Sequence, residues 1–210
     1  MMMGAIEEVR KHIDTPPDVT AVRSAGFRLL LRTGEPVTRA DWASEAGISD
    51  ADLQTILERT VARGRVELAE DGSLIGVAGL TVRRTPHRVE IDGATRYTWC
   101  ALDAVGILGA LGVDAAIHST DPASGEPVVI PFVGGIPSGG ASLFILGGYD
   151  GGDVVDDWCP LVNFFTSEAA AEEWVAQRDL DGDVVSVVDI AADTASMWRP
   201  VVGPQPLQGS

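Results

Sequence analysis

The stretch RYTWCALDAVGILGALG, residues 96–112, sets a thiol (Cys100) and a carboxylate (Asp103) three residues apart at the head of an apolar run. The spacing predicts a helix over 97–111, although Gly106 and Gly109 weaken it. In such a helix Cys100 and Asp103 stand at i and i+3 and share a face. The first-turn N–H groups and the helix dipole would favour a thiolate at Cys100 and lower its pKa. Asp103 precedes AVGILGALG, so burial would raise its pKa towards neutrality. The plainer reading is a packed cysteine and an aspartate paired with an arginine such as Arg96. Spacing alone leaves both open.

Downstream of this helix, short β runs alternate with turns. DAAIHST and EPVVIPFV are joined by DPASG, and ASLFILGG is a further run. PLVNFFTS leads into a helix, SEAAAEEWVAQR, with Ser167 as its N-cap. GDVVSVVDI reads as a late strand, AADTASMW as a short helix or turn, and the Pro- and Gly-rich end from Arg199 as a loose tail. Upstream, LTVRRTPHRVEIDG has strand character broken by Pro86. Strands with turn-length connections predict an α+β domain over 81–210, its sheet mixed or antiparallel with flanking helices.

Residues 1–80 have a different texture. Helical patterns fall at 19–34, at 36–47 with Thr38 and Asp41 as cap and capping-box acid, and at 48–64. The last, capped by Ser49 or Asp50, puts Leu53, Ile56, Leu57 and Val61 on one face. RVELAEDGSLIGVAG then suits a β-hairpin around EDGS. Three helices and a hairpin predict a winged-helix-like module, with EAGIS as the turn of a helix-turn-helix. The balance is against a DNA reader. Asp50 and Asp52 would face phosphates, and Gln54, Arg59, Arg63 and Arg65 are the useful polar groups.

Charge points the same way. The 210 residues carry 31 acids against 15 Lys and Arg, a formal charge of −16. Such a chain is not drawn to nucleic acid or anionic membranes by its net field. No segment approaches the roughly 20 apolar residues of a membrane span, and MMMGAIEEVRKH lacks a signal-peptide pattern. A cytoplasmic setting is expected, where thiols stay reduced.

The second cysteine, Cys159, follows the Gly- and Asp-rich loop GGYDGGDVVDDW and precedes Pro160. Two thiols and a carboxylate suit a soft, low-coordinate metal better than zinc, which takes four ligands at characteristic spacings. His12, His87 and His118 form no ligand pattern. GGIPSGG (134–140) lacks the lysine of a P-loop, and YDGGDVVDD lacks calcium-loop spacing.

Together, YTWCALD, the SGEPV strand, the second cysteine before VNFF and the acidic helix with Trp174 resemble the organomercurial lyase (alkylmercury lyase) family. The likeness covers most of the chain, including the helical front. It implies that Cys100 captures the organomercurial, that Asp103 relays the proton, and that Cys159 joins the mercury. The hydrocarbon then leaves and Hg(II) stays on the sulfurs. It also implies no organic cofactor, a role in mercury resistance, product removal by low-molecular-weight thiols, and a mercuric reductase as partner. Tyr97 and Trp99 are expected to wall the substrate pocket. Where many members carry a further cysteine this chain has Asp121, and Pro160–Leu161 replaces a Cys-His pair. The rival expectation is a non-enzymatic soft-metal binder or metal-responsive regulator using the same two thiols.

Overall fold

The computed structural model describes residues 4–13, 16–61, 64–149 and 152–203, residues 11–13 as backbone only. The His12 side chain, Arg63, Asp150 and the chain beyond Gly203 lie outside the described residues.

Helix α1 (Gly4–Ile13) precedes three helices whose ends follow from local chemistry. In α2 (Pro17–Thr33) proline opens the first turn, where its missing N–H costs nothing, and Gly34 closes the helix at φ +68°. In α3 (Arg39–Ala46) the Thr38 hydroxyl accepts from the Asp41 N–H at 3.1 Å. In α4 (Asp50–Val61) the Ser49 hydroxyl accepts from the Asp52 N–H at 3.1 Å. Leu53, Ile56 and Leu57 are buried as the periodicity requires, but Val61 is exposed. It is the last residue of the helix.

Eight strands form one sheet in the order β1-β2-β3-β5-β4-β6-β7-β8. They are β1 (Val66–Leu68), β2 (Leu74–Val77), β3 (Leu80–Thr81), β4 (Arg88–Ile91), β5 (Ala94–Thr98), β6 (Ala115–Thr120), β7 (Pro127–Val133) and β8 (Ile136–Pro137). A second sheet has the order β10-β9-β11, from β9 (Ser142–Leu146), β10 (Phe164–Phe165) and β11 (Gly182–Ser186). Every strand pairing among the described residues is antiparallel. The architecture is therefore α+β with antiparallel sheets. The front hairpin β1–β2 is continuous with the larger sheet through β3, which contains residue 80.

Helix α5 (Ala101–Leu111) is apolar on all sides and almost wholly buried, as a helix without a polar face must be. It starts later than the sequence suggested. Tyr97 and Thr98 belong to β5, paired with Thr81 and Leu80, so the polar strand edge outcompetes helix there. The last helix is the larger departure. Val187–Val202 forms α7, sixteen residues long, so the expected late strand ends at Ser186 and 199–202 is helical, not tail. Val187, Ile190, Ala191, Thr194 and Trp198 recur at helical spacing and are buried, which overrides the β preference of a Val-Val pair. Pro200 sits within the last turn.

Helix α6 (Glu168–Gln177), capped by the Ser167 hydroxyl, covers the small sheet. Strand β9 is buried on both faces: Leu143 and Ile145 enter the main core, while Phe144 joins Phe165, Ala171 and Trp174 in a second one. This alternation ties the small sheet to the rest of the molecule.

Candidate active site

Strand β5 delivers the chain to Trp99 and Cys100. Cys100 is the N-cap of α5, with extended backbone (φ −143°, ψ 177°), and Asp103 is the third helical residue. The Asp103 carboxylate reaches back to accept the Cys100 N–H at 3.0 Å, half of a capping box. The same oxygen, Oδ2, lies 2.9 Å from Cys100 Sγ. One carboxylate oxygen thus fixes the helix start and holds the thiol.

Cys159 reaches the same oxygen from the other side of the sequence. A π-helical turn (Val154–Trp158), opened by the Asp153 side chain accepting from Val155 and Asp156 N–H, runs into a tight 3-10 turn (Cys159–Leu161). The turn brings Cys159 Sγ to 3.9 Å from Asp103 Oδ2. Ligand atoms of Cys100, Asp103 and Cys159 lie within 4.8 Å of one another, and all three residues are buried. Pro160 helps form that turn.

Electrostatics correct one expectation. Burial, then the neighbouring thiol and the Asp103 charge, push the Cys100 pKa well up. Cys100 is inside the protein beside an acid, so the helix dipole does not produce a resting thiolate. Burial likewise raises Cys159, with the Asp103 and Glu67 charges adding to it. Burial raises Asp103 to about 6, against bonds from the Cys100 thiol and amide and the positive charge of Arg23. The site therefore rests with both thiols protonated and, at pH 7, a largely ionised carboxylate able to receive a proton.

A cavity of about 40 Å³ opens onto Asp103 and Cys159. Trp99, Trp158 and Trp198 line it. Each indole N–H is bonded elsewhere: Trp99 to Glu67, Trp158 to the Leu146 carbonyl at 3.0 Å and Trp198 to the Ala78 carbonyl at 2.9 Å. The rings thus offer fixed apolar walls. Tyr97 is half-buried in β5 and is not among the lining residues; β5 ends between it and Trp99, and only the latter turns inward. Arg96 does not pair with Asp103 but donates to the Leu31, Arg32 and Thr95 carbonyls.

Sequence reasoning missed several wall residues. The turn between β2 and β3 has positive φ at both Ala78 (53°) and Gly79 (88°), the geometry of a type I′ hairpin. A Cβ at Gly79 would overlap the Asp103 carboxylate, so glycine lets the turn lie against the acid. Arg23 also lines the cavity, with Arg65. Its signal was present: it stands four residues after Val19 and four before Phe27, on the buried stripe of α2. Trp158 is adjacent to Cys159, whereas nothing local marks Trp198. His87 is structural. It is buried, its ring bonds Ser119 Oγ at 3.0 Å, and burial lowers its pKa to about 4. His118 faces Glu90 at 3.3 Å.

An α+β scaffold that buries two thiols around a carboxylate, beside an apolar cavity, defines a protein built to handle a soft metal ion and an acid proton together. The family model described as MerB, alkylmercury lyase, matches residues 80–198. Curated alkylmercury lyases agree. The one from Bacillus cereus is 32% identical over 170 residues, 78% of this chain and 76% of that protein. That from Pseudomonas putida is 32% identical over 157 residues, 71% and 72% of the two chains. That from Streptomyces lividans is 30% identical over 176 residues, 82% and 78%. The mercury-bound crystal structure of MerB2 superposes with a TM-score of 0.81 over 94% of this chain and 100% of that one, at 20% identity, so it speaks to the fold. The chain belongs to the alkylmercury lyase family.

Proposed function

We propose that this protein cleaves carbon–mercury bonds by protonolysis, with Cys100, Cys159 and Asp103 as its reacting groups. The observation that carries this reading is the single carboxylate oxygen lying 2.9 Å from one sulfur and 3.9 Å from the other. Mercury prefers thiolate sulfur. As R–Hg⁺ bonds to Cys100 Sγ, the thiol proton passes to Asp103 Oδ2, already in contact. Cys159 then adds its sulfur, and its proton leaves with the displaced ligand or to solvent. Two sulfurs enrich the Hg–C bond in electrons. Asp103 gives its proton to the carbon as the Hg–C pair closes on it, releasing RH. Hg(II) remains on the two sulfurs and Asp103 is again a carboxylate. Trp99, Trp158 and Trp198 keep water away and receive the organic group.

Mercury enters as substrate and leaves as product, and the reading includes no organic cofactor. Low-molecular-weight thiols would take the ion from the site, for delivery to a mercuric reductase and hence mercury resistance. Free thiols suit a reducing cytoplasm, and no helix among the described residues is long and apolar enough to cross a membrane. Residues 1–80 serve in this reading as a winged-helix-like module whose role is packing: α2 contributes Arg23 to the cavity and the hairpin turn contributes Ala78 and Gly79. Its cations support this over DNA binding, since Arg39 is engaged by Asp50 and Gln54, and Arg59 by Asp18.

Phenylmercury with excess thiol, followed by benzene release, tests the proposal. Asp103→Ala should lower turnover by about 10²- to 10⁴-fold while the dithiol still binds Hg(II). Cys100→Ser and Cys159→Ser should each lose both turnover and tight Hg(II) binding. A wild-type protein that binds Hg(II) tightly yet releases no benzene would instead be the soft-metal binder.

A further inference from the structure

The cavity holds a charge that protonolysis as described does not use. Arg23 is 5% exposed, and its Nε and Nη1 are buried with no hydrogen-bond partner. Arg65 stands on the same wall, 8% exposed, donating to the Tyr149 hydroxyl at 3.3 Å with its guanidinium over that ring. Among the described residues, the charged groups lining the cavity are Arg23, Arg65 and Asp103. This is a net positive lining inside a chain of formal charge −16. Burying a guanidinium with unmade bonds is strongly destabilising. Arg23 remains a cation near neutrality, its pKa lowered by burial and by Arg65 only to about 10. No bond joins it to Asp103, whose Oδ2 is occupied by Cys100.

A guanidinium with open N–H groups matches a carboxylate, which it binds through charge-assisted hydrogen bonds. We propose that Arg23, backed by Arg65, forms a carboxylate-binding subsite beside the two thiols. It would favour mercurials that carry a carboxylate, either on the organic group or on the thiol already bound to mercury. The inference rests on the lyase reading for its substrates but not for its binding chemistry. A substrate carboxylate would complete the bonds that Arg23 lacks and turn the mercury towards the sulfurs.

Two substrate pairs separate the sources. Cleavage of 4-mercuribenzoate against phenylmercury reports a carboxylate on the carbon side. Methylmercury presented as its cysteine complex against its cysteamine complex reports one on the thiol side. In the wild type at least one pair should favour the carboxylate in kcat/KM by on the order of 10- to 100-fold, the worth of a bond to a charged group. In Arg23→Met that ratio should fall towards one, with Arg23→Lys between. Ratios near one in the wild type, or unchanged in Arg23→Met, overturn the subsite. Calorimetric titration with acetate, and with acetamide as control, reads it without turnover. Acetate should bind the wild type, acetamide should not, and Arg23→Met should lose the acetate. Acetate that does not bind the wild type, or that binds Arg23→Met equally, overturns the proposal. If no mercurial is cleaved but acetate binding depends on Arg23, the lyase reading falls and the subsite stands.

Discussion

At the scale of single residues, Asp103 is asked to do three things with one side chain. It closes the first turn of α5, holds the Cys100 thiol and lies 3.9 Å from the second sulfur. Burial sets the cost. Raising its pKa from 3.8 to about 6 means that the folded state prefers the protonated form, by about 3 kcal/mol. The contribution is full below pH 3.8 and is lost as pH rises through about 6. Urea denaturation of wild type and Asp103→Asn between pH 4 and 7 should show the wild type losing about 2 kcal/mol relative to the variant. Comparing the two removes the opposing slopes of other carboxylates. Asparagine keeps an oxygen for the Cys100 N–H, so the cap survives. In the proposed mechanism the dependence runs the other way, because there Asp103 accepts the thiol proton as a carboxylate; kcat/KM should rise as pH increases through about 6.

At the scale of elements, the α5–α7 pair positions the site. Gly106 faces the Trp198 ring so closely that a Cβ there would overlap it, and a Cβ at Gly109 would come 2.8 Å from the Ala195 Cβ. The two glycines that weaken α5 as a helix are what let α7 approach it. Trp198 then reaches the hairpin turn through its bond to the Ala78 carbonyl, joining α7, the β2–β3 turn and the cavity wall. Gly106→Ala should gain about 1 kcal/mol in helix propensity yet lose more to overpacking, about 1–3 kcal/mol, for a net fall in stability. Thermal unfolding with Trp fluorescence would read both the loss and the displaced Trp198. The cap residues Thr38, Ser49 and Ser167 were legible because each acts within three residues of itself. Helix α7 was not, because Val-Val-Asp-Ile fits a strand as well as a helix until α5 presents a surface for it to cover.

At the scale of the whole molecule, the cavity is assembled from distant parts: Arg23, the hairpin turn at 78–79, Asp103, Cys159 and Trp198. The two sheets are tied together by Asp121. This residue is fully buried, and its Oδ2 accepts from both the Thr166 N–H and hydroxyl at 2.9 Å while Oδ1 accepts from Ala123 N–H at 2.8 Å. Although burial raises its pKa, these bonds hold it below the usual value. At the position where the resemblance leads one to expect cysteine, an acid thus fastens the β6–β7 turn to the lead-in of α6. Asp121→Ala should cost about 1–3 kcal/mol, since it removes a carboxylate that accepts bonds from both segments. Chemical denaturation reads the loss.

The sequence by itself determined which reactive groups are available and where several helices begin. A thiol and an acid three residues apart, a second thiol behind a turn-forming loop, and cap residues at helix starts are short-range facts that survive in any fold. Only the tertiary structure decided that Cys159 meets Asp103, 56 positions away along the chain, that both thiols are protonated at rest, and that Arg23 stands unpaired in the same cavity. Those outcomes depend on burial and on distances through space, and both arise only when separated segments exclude water together.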